Sequence, residues 1–348
     1  MDEMDVLRLR FDQQPAPAAE VVSRARQVMF RSEGRARSRI RRPTRPARVV
    51  LSGVLAVTLA GGLLAALTLR GGNQGGFFAT PPANAADVLY HAAAVARQAP
   101  SPRAGQFFYI VERGLSASIE PDGTGSYVQP ELQQTWFPVS TRDTGLERVT
   151  WGQPRVINGP ALPPDAAQHP PGSVSLYRVS GCTKGAWSWW APTYSQLSTL
   201  PTDPAKLYAT ILRAAGAPGG FSGASVYDQA WSLLRSILEG TPGPPPVQAA
   251  LFEAATKFPG VTMVGDMVDF DGRRGIAVAR LGSGSPATRI ELIFDRTTYR
   301  LLGDREVFAD SGGGFRSGTI LDQVTIQQVS LVNGAPRSQL ASPHGPPC

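Results

Sequence analysis

Cysteine, histidine and lysine are nearly missing from this chain of 348 residues, which holds 2 Cys, 3 His and 3 Lys (Lys184, Lys206, Lys257). Cys182 and Cys348 stand far apart, and His91, His169 and His344 are scattered. No CxxC, HExxH or Cys/His cluster exists, so no structural zinc site and no bound cofactor are expected. Asp266, Asp269 and Asp271 have neither the spacing nor the closing Glu of a calcium loop, and Asp271-Gly272 reads as a turn. The run GSGSP at Gly282 to Pro286 lacks the last Gly of a G-x-S-x-G elbow and lies between two strand-like runs, so it reads as a loop. With no catalytic constellation, the chain is not expected to be an enzyme.

Acidic balance is absent from only one part of the chain. Residues 1–48 carry 12 Arg against 6 Asp/Glu, whereas residues 71–348 carry 21 basic and 21 acidic residues. The sequence pI of about 9.8 therefore belongs to a tail. A nucleic-acid surface would need that charge on the folded part, so no direct nucleic-acid partner is expected.

What the chain does have is one long apolar run. Val49 to Leu69 holds 21 residues and no charge. A helix of that length spans roughly 30 Å, the thickness of a hydrocarbon core, and only a helix satisfies such a backbone in lipid. A cleaved signal peptide has a short n-region and an adjacent cleavage site. Here the n-region is 48 residues long, and the A-x-A pattern at Ala83-Asn84-Ala85 lies well past the run. A retained transmembrane anchor in the cytoplasmic membrane is expected. Eight arginines between Arg31 and Arg48 flank one end, against Arg70 on the other. This bias puts the N-terminus in the cytoplasm and residues 70–348 outside.

The tail adds apolar stripes to its arginines. Met4, Leu7 and Phe11 share one helical face, and Val21, Val22, Ala25, Val28 and Met29 share a second beyond Pro15 and Pro17. Two such helices bury no core alone. They dock on a cytoplasmic protein or on anionic lipid, or the tail only sets topology.

Residues 70–83 read as a flexible tether. Residues 84–348 then form one extracytoplasmic domain. A helix is predicted from Asn84 to about Gln98, and strand-like runs cover 106–112, 132–139, 146–151 and 173–179. Three helices follow within 200–216, 225–239 and 246–258. Paired strands come next at 261–270 with 274–281 and at 288–295 with 299–309, and a last strand at 323–332. The order defines an α+β fold with a largely antiparallel sheet. Within this domain Trp187, Trp189 and Trp190 are the densest aromatic group, suited to core or lid packing and also the residues best placed to contact a ligand. Cys182 and Cys348 would share an oxidising compartment, where an intramolecular disulfide, an intermolecular one or two free thiols are all open.

The V-x-x-A-R-x-x-M run at Val22 to Met29, followed by the apolar span and then NAADVLYHAA, GQFFYIVE, LPTDPAKLYATIL, GVTMVGDMVDFDGRRGIAVAR and ELIFDRTTYRLLGDRE, resembles an actinobacterial family of single-pass membrane proteins of unknown function. Its members are often encoded beside extracytoplasmic-function sigma factors. The hairpins also resemble, in architecture alone, the curved sheets of lipoprotein carriers and periplasmic sigma-regulator sensors. The resemblance implies a membrane-anchored envelope sensor or regulator: an outer domain for an envelope ligand, and a tail, through Leu7, Phe11, Val21, Val28 and Met29, for a cytoplasmic partner such as a sigma factor. The alternative is a non-signalling anchored protein that binds lipid or glycan.

Overall fold

The computed structural model describes residues 84–119, 125–181, 188–217, 224–240, 242–269 and 271–339. The tail, the apolar run 49–69, the tether, Trp187, Cys182 and Cys348 lie outside them. Among the described residues no helix is long and apolar enough to cross a membrane.

Helix α1 spans Ala85–Arg97. The Asn84 side chain accepts from the Asp87 backbone N–H at 3.0 Å, capping the first turn, and Asp87 and Arg97 complement the helix dipole at its two ends. Five strands follow: β1 (Phe107–Ile119), β2 (Ser126–Pro138), β3 (Thr144–Trp151), β4 (Arg155–Asn158) and β5 (Val174–Ser180). Helices α2 (Tyr194–Leu197), α3 (Pro204–Ala215), α4 (Val226–Gly240) and α5 (Pro245–Ala255) come next. The chain closes with β6 (Val261–Val268), β7 (Arg274–Leu281), β8 (Thr288–Asp295), β9 (Leu301–Phe308) and β10 (Ile320–Val332).

The ten strands make one sheet in the order β5-β3-β2-β1-β10-β9-β8-β7-β6, with β4 also paired to β2, and each pairing is antiparallel. The expected α+β class holds. The chain builds outward from β1 to β5, crosses to the far edge through the helices, and returns from β6 to β10, which pairs with β1. Strands β1 and β2 run well past the short apolar runs that announce them, because each continues into polar residues that pair in unbroken register.

Helix α1 packs on β6 and β7, α4 on β9, and α3 and α5 complete the layer. The seam is aromatic: Phe252 of α5 meets Phe294 of β8 edge-on at 5.7 Å, and Trp231 of α4 meets Phe258 at 5.4 Å. Trp231, Leu234, Ile237, Leu251, Leu292 and Phe294 are fully buried, each adding about 1.5–3 kcal/mol of transfer free energy. At Gly303 the backbone runs at φ +147°, and a Cβ there would lie 2.0 Å from the Val324 carbonyl oxygen, so β9 approaches β10 only because this residue is glycine.

The first turn of α4 is tied to the loop after β7. Ser225 Oγ accepts from the Asp228 N–H, and the Asp228 carboxylate accepts from the Ser283 N–H at 3.1 Å, the Ser283 hydroxyl and Arg280 Nη1. Ser283 of GSGSP is thus a loop anchor. Burial alone would raise the Asp228 pKa, but the bonds from Ser283 and Arg280 outweigh it and hold the carboxyl at about 2. A depressed carboxyl contributes stability above its unfolded pKa of about 3.9 and loses it as pH falls toward 2. Asp228→Asn is therefore expected to flatten that acid limb of the stability curve in urea titrations. An unchanged acid limb would show that Asp228 carries no such linkage.

Candidate functional site

The two faces of the sheet are fixed by register. Ser116 Oγ bonds Asp322 at 3.4 Å, and Asp322 pairs with Arg235 of α4, so Ser116 lies on the helix-bearing face. Strand β1 meets β2 without a bulge, so Ile110, Glu112 and Ser116 share that face with Gln129, Glu131, Gln133 and Thr135. Glu147 of β3 and Tyr177 of β5 continue the row. The helix layer sits over the β6–β9 half. Over the β1–β5 half the same face carries carboxylates, amides and a phenol.

Two short segments cross this polar face at its ends. At one end Asp165, in a 3-10 turn over Pro164–Ala167, accepts from Tyr127 Oη at 3.1 Å and Ser118 Oγ at 3.4 Å. At the other, residues 188–197 run from the end of β5 toward the helices. Thr193 starts α2 with a capping box closed by Gln196. Tyr194 packs on the buried group Phe108, Ile110 and Phe137, its ring 5.9 Å from Phe108, and burial raises its phenol pKa. Between the two crossings lies the polar row, in which Glu112, Gln129 and Thr135 are buried and Glu131, Gln133, Glu147 and Tyr177 are part-buried.

Of the predicted aromatic group, Trp189 and Trp190 fall on this crossing segment. The Trp189 carbonyl accepts from Ser236 Oγ of α4 at 2.9 Å, which fixes the segment to the helix layer, and Trp190 is 40% exposed at the boundary. The structure places these two at the edge of the polar strip.

A buried charge cluster borders the strip and was not singled out from sequence. Arg235 of α4 donates through Nε to Asp304 and through Nη2 to Asp322, with Glu306 and Glu239 each 3.5 Å away. Burial acts to lower the Arg235 pKa, but the carboxylates, Asp304 foremost, raise it well above the usual value. Burial raises the Asp304 carboxyl far above its ordinary range; Arg235 offsets this in part, while Glu239 and Asp322 add to it. The signal was visible: Arg235 sits among Trp231, Leu234 and Leu238 on the buried face of its helix, and Asp304 and Glu306 hold alternate positions of one strand. The acidic run near residue 270 serves structure: Asp269 accepts from Arg273, Asp271 from Arg113 and Gln327, and Asp266 from Arg296.

The opposite face has an open cleft of about 400 Å³ lined by Leu115, Val128, Val156, Ile157 and Ile320, with exposed Arg155 beside them.

No protein-family model matches the chain, and no curated protein matches it. Among solved structures it is similar to the Pseudomonas aeruginosa MucA/MucB complex, at 12% identity over 74% of this chain and 61% of that one, with a TM-score of 0.26. A crystal structure of MucB gives 13% identity over 75% and 64%, at 0.26. A putative outer membrane lipoprotein-sorting protein domain from Vibrio parahaemolyticus gives 11% over 72% and 96%, at 0.21. The chain spans less than two thirds of the MucB chains it matches.

Proposed function

We propose that the chain is a membrane-anchored envelope sensor or regulator. Its domain over 84–348 binds a polar or polypeptide ligand outside the membrane, and its tail contacts a cytoplasmic partner, a sigma factor by the resemblance stated above. The half-covered sheet carries this reading. Helices shield the β6–β9 half, while the matching face of β1–β5 carries part-buried Gln133, Glu147 and Tyr177 beside buried Glu112 and Thr135, and the segment that crosses it exposes Trp190. An acyl chain laid on that strip would strand carboxylates and amides without water, at a cost of a few kcal/mol per group. A ligand with its own donors would not. Among the described residues, the cleft beside Arg155, with Leu115, Val128, Val156, Ile157 and Ile320 in its wall, favours the second reading, an anchored lipid-binding protein without signalling.

The two readings separate on the tail. The full-length chain in detergent is expected to capture a sigma factor from cytoplasmic extract, identified by mass spectrometry, and to lose it when residues 1–33 are removed. Retention on anionic vesicles alone, with no sigma factor captured, would favour the anchored binder.

A further inference from the structure

Among the described residues, no strand pairs with the outer side of β5, one of the two edges of the sheet. Strand β5 pairs with β3 in unbroken register, and the Trp151 N–H to Ser173 carbonyl bond (3.0 Å) and the Gly181 N–H to Asp143 carbonyl bond (3.1 Å) show which of its groups face β3. Odd-numbered residues point their backbone groups at β3, so those of Val174, Leu176 and Arg178 point away from the sheet. The side chains of the same three residues are exposed, with Val174 at 45% and Leu176 at 48%. Edges are usually blunted by proline, a bulge or a covering element; β5 has no proline or bulge.

The charge beside this edge is of one sign. Arg148 of β3 pairs in register with Leu176, and Arg178 lies on its diagonal, so two guanidinium groups flank one exposed leucine. Among the described residues neither side chain has an ion pair or hydrogen bond, whereas Arg235, Arg273, Arg280, Arg289 and Arg305 are all paired. No carboxylate of β2, β3 or β5 shares their face. A second copy added antiparallel would gather four arginines there and repel.

We infer that β5 accepts an extended acidic polypeptide segment of a partner as an added strand, with alternate apolar side chains over Val174 and Leu176 and carboxylates on Arg148 and Arg178. This inference rests on the envelope-binding reading above and names its ligand class. The probe is a fluorescent peptide that carries valine and glutamate together on one face, with threonine at the intervening positions, matched to the seven residues of β5 and titrated by anisotropy against the full-length chain in detergent. It should bind, while the valine/lysine counterpart should not. Leu176→Pro removes only an outward N–H, so it should leave the fold intact and weaken binding at least about tenfold. Arg148→Glu with Arg178→Glu should invert the preference toward the lysine peptide. Absence of binding, binding indifferent to both variants, a β5-dependent dimer, or binding to anionic vesicles alone would each overturn the inference. Peptide binding without sigma-factor capture would sink the regulator and leave the strand site; capture without peptide binding would do the reverse.

Discussion

Arg235→Ala is expected to lower the unfolding free energy by about 3–5 kcal/mol, a large share of the roughly 5–15 kcal/mol of an ordinary domain. Arg235 is 7% exposed against Asp304 at 1% and Glu306 at 3%, so loss of its guanidinium leaves buried carboxyl groups without a counter-charge. It also unties α4 from β9 and β10, the place where the helix layer meets the middle of the sheet. Urea denaturation of the full-length chain should show a lower midpoint at unchanged slope. Arg235→Lys keeps the charge but not the fork that reaches Asp304 and Asp322 together, so it should recover only part of the loss. The pH dependence follows from Asp304. A carboxyl whose folded pKa is raised contributes stability that is full below the unfolded value of about 3.9 and is lost as pH rises through the folded one. Asp304→Asn should remove that decline. A loss below about 1 kcal/mol in Arg235→Ala would mean that the cluster is solvated and does not hold the helix.

Replacing Leu7 and Phe11 together with serine is expected to abolish capture of the cytoplasmic partner. The proposed topology needs neither residue, since the arginines between Arg31 and Arg48 would orient a span on their own. Two apolar side chains lost from a docked helix cost about 3–6 kcal/mol, enough to remove a micromolar interaction. Membrane insertion and the urea midpoint of the outer domain should not move. An electrostatic anchor behaves otherwise: the double change would matter little, and replacing Arg37, Arg39, Arg41 and Arg42 would release the tail from anionic vesicles in a salt-sensitive way. Capture by isothermal titration, with salt series on vesicles, separates the two.

The α+β class and most elements were legible because their apolar periods are regular. TRIELIFD and QVTIQQVSLV alternate cleanly, and α3 buries Leu207 and Ile211 as its helical period implies. Strand β2 was half hidden, because Pro130 and Glu131 interrupt the pattern ahead of the run at 132–139 while the pairing with β1 keeps the register through Ser126. Strand β4, of four residues, and α2, one turn held by Thr193 and Gln196, are too short to carry a period. Of the candidate site, only the aromatic segment was legible. Trp189 and Trp190 stand out by composition, but the polar strip is assembled across β1, β2, β3 and β5, and the Arg235 cluster joins residues far apart in the chain. Neither follows from local spacing. The free edge of β5 depends on strand order, which the sequence does not state.

The central claim is that a folded binding domain stands outside the membrane while the arginine-rich tail stays inside. It is tested most directly by fusing an export-dependent reporter after Cys348 and a cytoplasm-dependent one before Met1, each in the intact chain. Both reporters are expected to be active in the same cells. An inactive reporter after Cys348, with activity from a cytoplasm-dependent reporter at the same position, would contradict the claim and remove the outer domain from the envelope.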